Sequence, residues 1–319
     1  MVETLDWDLG HLRGEPIGPV IAFDGTPLHA EAIGDGPSVV FAHGFCLNLT
    51  SWHYQMLGLS ESYRLVLFDQ RGHGLSAFPS SGDFTIDTLA RDLDAIVQAA
   101  GEPVTLVGHS MGGMTVLRYA AMFPERIGSS VRAVALVDTN CNDVLGNLLP
   151  GAARMALPAL RLIEAAAAAS PQRLEGIRRS QQRLIRTGVR LMSFGKDAPP
   201  ERLSFVEQQF AAVPAPALVR VIATLRTLDV RAGLEALEGI PVLIVVGERD
   251  RITPIACARK LAHAVPGSEL ATIARAGHMP MLEQPEAFNE LLAAFLEHPG
   301  AMYGGRRVGR ARRSQIPPD

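Results

Sequence analysis

An α/β chain built on a mostly parallel sheet is what this sequence predicts, and three observations carry the prediction. Short runs rich in Val, Ile and Leu alternate with helical patterns, as expected of βα units. Each run is almost wholly apolar, which fits strands covered by helices on both faces. The alternation stops after Asp138 and resumes about a hundred residues later, so a helical stretch is inserted between two strands of one sheet.

In chain order, PVIAFDG (19–25) and PLHAEAIGDG (27–36) read as a hairpin at the sheet edge. PSVVFAHG (37–44), RLVLFDQ (64–70), PVTLVGH (103–109), VRAVALVD (131–138) and PVLIVVGE (241–248) read as buried strands, and SELATIA (268–274) as the last. Helical spacing occupies Asp87 to Ala100 and Glu283 to His298. From about Asn142 to Leu228 the chain is Ala- and Arg-rich and broken by seven prolines, which predicts short helices joined at prolines. The domain reading is therefore a core of residues 1–141 and 229–298, a helical cap over 142–228, and a basic tail at 299–319 expected to be disordered.

Composition excludes several classes of function. The net charge is -3 over 319 residues, whereas broad capture of nucleic acid needs a basic face. The longest apolar candidate, Leu148 to Ala169, is interrupted by Pro150, Arg154, Pro158, Arg161 and Glu164, so no integral membrane segment is expected. The first residues, MVETLDWDLG, carry acids where a secretory signal carries bases, and a cytoplasmic address is the expectation. Cys46, Cys141 and Cys257 form neither a disulfide framework nor a metal pair.

The chemistry concentrates at the ends of strands. Gly108-His109-Ser110-Met111-Gly112 follows one strand directly and opens a helical segment, GGMTVLRYAAMFPERI. A G-x-S-x-G motif in that setting holds a serine hydroxyl out on a tight strand-to-helix turn. A serine hydroxyl needs a base to become a nucleophile. Of nine histidines, His278 in AGHMPMLEQP lies late in the chain between the last strand and a helix, where the base belongs. The acid that orients it is Asp250, in the turn GERDRITP, with Asp138 a rival at the end of the preceding strand. Backbone N–H groups of Met111 and Phe45 are the candidate donors to an oxyanion.

With these motifs and with DQRGHGLS (69–76), the chain resembles the α/β-hydrolase superfamily from about Val20 to Leu296. The resemblance implies an eight-stranded sheet with a cap inserted after the sixth strand, no metal and no organic cofactor. It makes Asp69, Arg71 and His73 structural rather than catalytic. Epoxide hydrolases and haloalkane dehalogenases share the fold but use aspartate where Ser110 stands. The leading expectation is a serine hydrolase of a small to medium, largely apolar carboxylic ester. Lactonase, carbon–carbon bond hydrolase and cofactor-free perhydrolase are alternatives on the same triad, and a small-molecule receptor is a different class. Phe194, Phe205, Phe210, Met155 and Met192 are candidate pocket residues, each of which could equally be core of the cap.

Overall fold

A computed structural model describes residues 9–142, 144, 170, 175–176, 182–299 and 307–308. Its main sheet runs in the order β1-β4-β6-β5-β7-β8-β9-β10-β11. The parallel body comprises β5 (Ser38–Ala42), β6 (Arg64–Phe68), β7 (Val104–His109), β8 (Val131–Val137), β9 (Val242–Gly247) and β10 (Glu269–Ile273). β4 (Ala30–Ile33) joins β6 antiparallel, and β1 (Glu15–Pro16) joins β4 antiparallel. At the far edge β11 (Arg307–Val308), within the basic tail, pairs in parallel with β10. The mostly parallel sheet flanked by helices is as expected; among the described residues it counts nine strands, the two-residue β1 and β11 lying at its edges.

The expected edge hairpin divides. β2 (Val20–Ile21) and β3 (Pro27–Leu28) pair with each other in a separate two-stranded sheet, and only β4 enters the main one. In the turn that joins β2 to β3, Thr26 N–H donates to Asp24 Oδ1 at 3.1 Å.

Alternation along each strand divides the core into two layers. Val40, Ala42, Val66, Phe68, Leu106, Val134, Leu136, Ile244 and Val246 face one way. They pack under α2 (Ile86–Ala100) and α3 (Met111–Met122) through Leu93, Ile96, Met114 and Leu117. Their neighbours Val39, Phe41, Leu65, Leu67, Val107, Val137, Leu243 and Val245 face the other way, against Trp52, Met56, Phe288 and Phe295. Trp52 ends the 3-10 turn Leu49–Trp52, Met56 lies in α1 (His53–Leu59), and Phe288 and Phe295 lie in the helix Pro285–Glu297. Period-two side chains on a sheet covered on both sides force this division, and it explains why the strands read as continuous apolar runs.

Thr85 caps α2, its hydroxyl accepting from Thr88 N–H at 3.4 Å, and Gly101, at φ 78, ends it. Between β8 and β9 the described residues form the helices Gln182–Ser193, Pro200–Ala212, Ala215–Arg226 and Ala232–Ala236, with no strand among them. Two of these helices begin on Pro-bearing first turns, which matches the proline punctuation. Residues 145–169, Met155 included, lie outside the described residues, as does most of 299–319. No described helix is long and apolar enough to cross a membrane.

Candidate active site

Ser110 sits between β7 and α3 with φ 51, a conformation rare for a side chain with a Cβ. The surrounding glycines are required by crowding. A Cβ at Gly108 would lie 2.7 Å from Gly113 backbone, one at Gly112 would strike the Ala42 carbonyl, and one at Gly113 would lie 2.7 Å from Thr139. Ser110 N–H donates to Val137 O at 2.9 Å, and the Thr139 hydroxyl donates to Ser110 O at 2.7 Å. The strained turn is thus held from β8, and strain at a reactive residue persists only where its surroundings impose it.

His278 follows β10. Its Nε2 lies 2.9 Å from Ser110 Oγ and its Nδ1 lies 2.8 Å from Asp250 Oδ2. A carboxylate only accepts, so Nδ1 carries the proton and Nε2 presents its lone pair to the hydroxyl. Ser110 is 9% exposed, while His278 and Asp250 are buried. Asp250 is fixed in turn: Oδ1 accepts from Ile252 N–H (2.7 Å) and Thr253 N–H (3.1 Å), and Oδ2 accepts from the Thr253 hydroxyl (2.6 Å). Burial pushes the Asp250 carboxyl up, but the imidazole beside it and its hydrogen bonds outweigh burial and hold it below the usual carboxylate range.

Asp138, the rival acid, is close by but in a different state. Its Oδ1 accepts from Gly247 N–H at 2.8 Å, and its backbone is left-handed at φ 41. Complete burial, reinforced by the Asp250 charge, raises its carboxyl well above the ordinary range. Asp138, Asp250 and His278 are the three groups among the described residues that could jointly approach a metal ion. The hydrogen bonds above already engage His278 Nδ1 and both oxygens of Asp250.

Phe45 lies in the loop after β5 and Met111 opens α3, and both line the same cavity as Ser110 and His278. The loop's shape comes from a buried brace. Cys46, at φ 63, donates its N–H to His73 Nε2 at 3.3 Å, and His73 Nδ1–H donates to Arg71 O at 3.0 Å. Asp69 accepts from Leu49 and Leu75 N–H, and Arg71 pairs with Asp92 and Asp24. None of Asp69, Arg71 and His73 touches the cavity.

The cavity has a volume of about 480 Å³. Its walls include Met114, Val206, Ile222 and Leu225, together with Phe210 and Met192 from the expected set. Phe194 and Phe205 do not line it: Phe194 is buried in the second core layer and Phe205 packs against that layer. The sequence reading passed over Thr253 and Glu283. Glu283 takes Gly277 N–H (2.7 Å) and Met279 N–H (3.3 Å) on one oxygen and Gly195 N–H (2.7 Å) on the other. It thereby clasps both sides of His278 to the end of the inserted helices. Its place in MLEQP, five residues after the histidine, is a visible signal, but its backbone partners are not.

A family model described as the alpha/beta hydrolase fold matches residues 37–285, and the chain belongs to that family. Among curated relatives, it is 28% identical over 264 residues to 3-oxoadipate enol-lactonase 2 of Acinetobacter baylyi, covering 82% of this chain and 90% of the relative. It is 29% identical over 272 residues to the pimeloyl-[acyl-carrier protein] methyl ester esterase of Methylococcus capsulatus, covering 84% and 98%. Among solved structures, a thermophilic esterase from Thermogutta terrifontis superposes with a TM-score of 0.74 at 24% identity, covering 90% of this chain and all of that one.

Proposed function

We propose that the protein hydrolyses a carboxylic ester of a small to medium, largely apolar substrate through an acyl-enzyme on Ser110. The observation that carries this reading is the continuous chain Ser110 Oγ–His278–Asp250 at 2.9 and 2.8 Å, opening on an apolar cavity.

The Ser110 Oγ attacks the ester carbonyl carbon while His278 Nε2 takes its proton. The C=O pair moves onto oxygen, where the N–H groups of Phe45 and Met111 stabilise the charge, helped by the N-terminus of α3. The tetrahedral centre then expels the alkoxide, which receives the proton from His278, leaving the acyl group on Ser110. Water, deprotonated by His278, attacks the acyl carbon; collapse releases the acid and returns the proton to Ser110. Asp250 keeps Nδ1 protonated and stabilises the imidazolium in both halves. No metal or organic cofactor enters any step. The helical segment 142–228 serves as a cap on the core of 1–141 and 229–298, a reading supported by its contribution of Val189, Met192, Val206, Phe210, Ile222 and Leu225 to the cavity wall.

The lactonase alternative uses the same steps on a cyclic ester and is favoured by the enol-lactonase among the relatives. The test is purified protein against p-nitrophenyl esters of graded chain length, lactones, and a peracid assay, with a fluorophosphonate to label an activated serine. Ester turnover over many cycles and labelling that maps to Ser110 are expected. A protein that labels at Ser110 yet turns over nothing would fit a receptor, and one that does neither would end the reading.

A further inference from the structure

The helix Gln182–Ser193 presents Gly188, Val189, Met192 and Ser193 to the cavity, a spacing that places them on one face. Its last turn is fixed at the catalytic end, since Ser193 O accepts from His278 N–H at 2.9 Å. Gly188 lies five residues earlier, about 7.5 Å along the axis at 1.5 Å per residue. The face therefore runs from the catalytic histidine outward, with Gly188 at its far end.

Nothing in the backbone calls for glycine there. Gly188 is not among the residues with left-handed φ, and glycine is a poor helix former in an interior position. Nor is it crowded: among the described residues, a Cβ at Gly188 would meet nothing within 4 Å, unlike one at Gly108, Gly112 or Gly113. Gly188 is exposed and lies on the cavity wall, so a side chain there would stand at that wall. The wall also carries a chemical restriction, because none of its described residues is Lys, Arg, Asp or Glu. A charged group at the end of an acyl chain would lose hydration there and meet no charged partner among the described residues.

We infer that Gly188 is a specificity-determining residue, kept small so that a neutral, unbranched apolar acyl chain can run from Ser110 along the Gly188–Ser193 face. The inference rests on the ester-hydrolase reading and names the substrate class within it.

The experiment compares wild type with Gly188→Ala, Gly188→Leu and Gly188→Phe on p-nitrophenyl acetate, butyrate, octanoate and decanoate. A chain-matched ester whose acyl group ends in a carboxylate is the charged arm. Labelling rates with ethyl and octyl phosphonate p-nitrophenyl esters are measured alongside, and melting curves confirm folding. Wild type should prefer octanoate to acetate and reject the carboxylate-ended ester. Gly188→Phe should lower the octanoate-to-acetate ratio of kcat/KM by at least about tenfold, and should lower the octyl-to-ethyl ratio of labelling rates in the same direction. Gly188→Leu should fall between, and Gly188→Ala should keep the profile without lowering Tm. An unchanged chain-length profile in folded Gly188→Phe and Gly188→Leu would overturn the inference, as would equal turnover of the carboxylate-ended ester. Failure of the ester-hydrolase reading looks different, namely no Ser110-dependent turnover even of acetate; the octyl-to-ethyl labelling ratio then still tests Gly188 on its own.

Discussion

Asp138 and Asp250 end neighbouring turns at the same edge of the site, yet their surroundings send their protons in opposite directions. Asp250 has the imidazole, the Thr253 hydroxyl and two backbone donors, and stays charged. Asp138 has one backbone donor, and full burial beside that charge pushes its carboxyl up. Asp250→Asn should therefore lower kcat by about four orders of magnitude, since an amide favours the wrong imidazole tautomer. Asp138→Asn leaves an amide oxygen that can still accept from Gly247 N–H and does not touch His278 Nδ1, so kcat should change by less than about tenfold. Steady-state kinetics on both, with circular dichroism to check folding, settle the assignment; the reverse ranking would move the acid to Asp138. At this scale the sequence was legible wherever a residue sat in a motif with a required strand-end position, as Ser110, His278 and Asp250 do. It was silent on the proton of Asp138, because burial and neighbouring charge are properties of the fold.

Among the elements, the loop after β5 depends on a neutral histidine. His73 must offer a lone pair at Nε2 to receive Cys46 N–H, and burial holds its pKa down from 6.5 to about 4 against the opposing contact with Arg71 O. The folded chain binds this proton more weakly than the unfolded chain. The histidine's contribution to stability is thus complete above about pH 6.5 and is lost as pH falls toward 4. His73→Gln should consequently be less stable than wild type at pH 7, and the gap should shrink on acidification by up to about 1.4 kcal/mol per pH unit. Urea unfolding of both chains at pH 7, 6 and 5 measures it, and a gap independent of pH would refute the brace. The Glu283 clasp makes a parallel claim. Glu283→Gln turns an amide NH₂ toward a backbone N–H, at a cost of about 1–3 kcal/mol, and an unshifted urea midpoint would show that the clasp carries nothing. DQRGHGLS and MLEQP were visible as motifs, but the partners that tie them to other elements, Cys46 N–H for His73, Asp24 and Asp92 for Arg71 and Gly195 N–H for Glu283, are not given by any spacing rule.

Across the whole molecule, the fold is a sheet sorted into two apolar layers by the alternation of its strands. That much was readable, because βα rhythm and continuous apolar runs have few alternative explanations. The two-residue strands at its edges were not, since β1 and β11 are too short to show a period. Nor could the apolar residues of the inserted helices be divided between cavity and core: Phe210 lines the first and Phe194 the second, and helical spacing alone offers both faces. The layer opposite α2 and α3 is tested by Phe288→Ala. This side chain is 1% exposed and its ring lies 6.4 Å from that of Trp52, so truncation should cost about 3–5 kcal/mol in urea unfolding. Activity per folded molecule should persist, because Phe288 is not among the residues that line the cavity. A cost below about 1 kcal/mol would mean that this layer is not the packed core described.

The central claim is that Ser110 and His278 act as one unit, and a double-mutant cycle on kcat for a p-nitrophenyl ester tests it most directly. Ser110→Ala and His278→Ala should each abolish nearly all turnover, and the double variant should be little worse than either, because neither residue can act without the other. Ester hydrolysis within a fewfold of wild type in Ser110→Ala, or losses that add in the double variant, would contradict it.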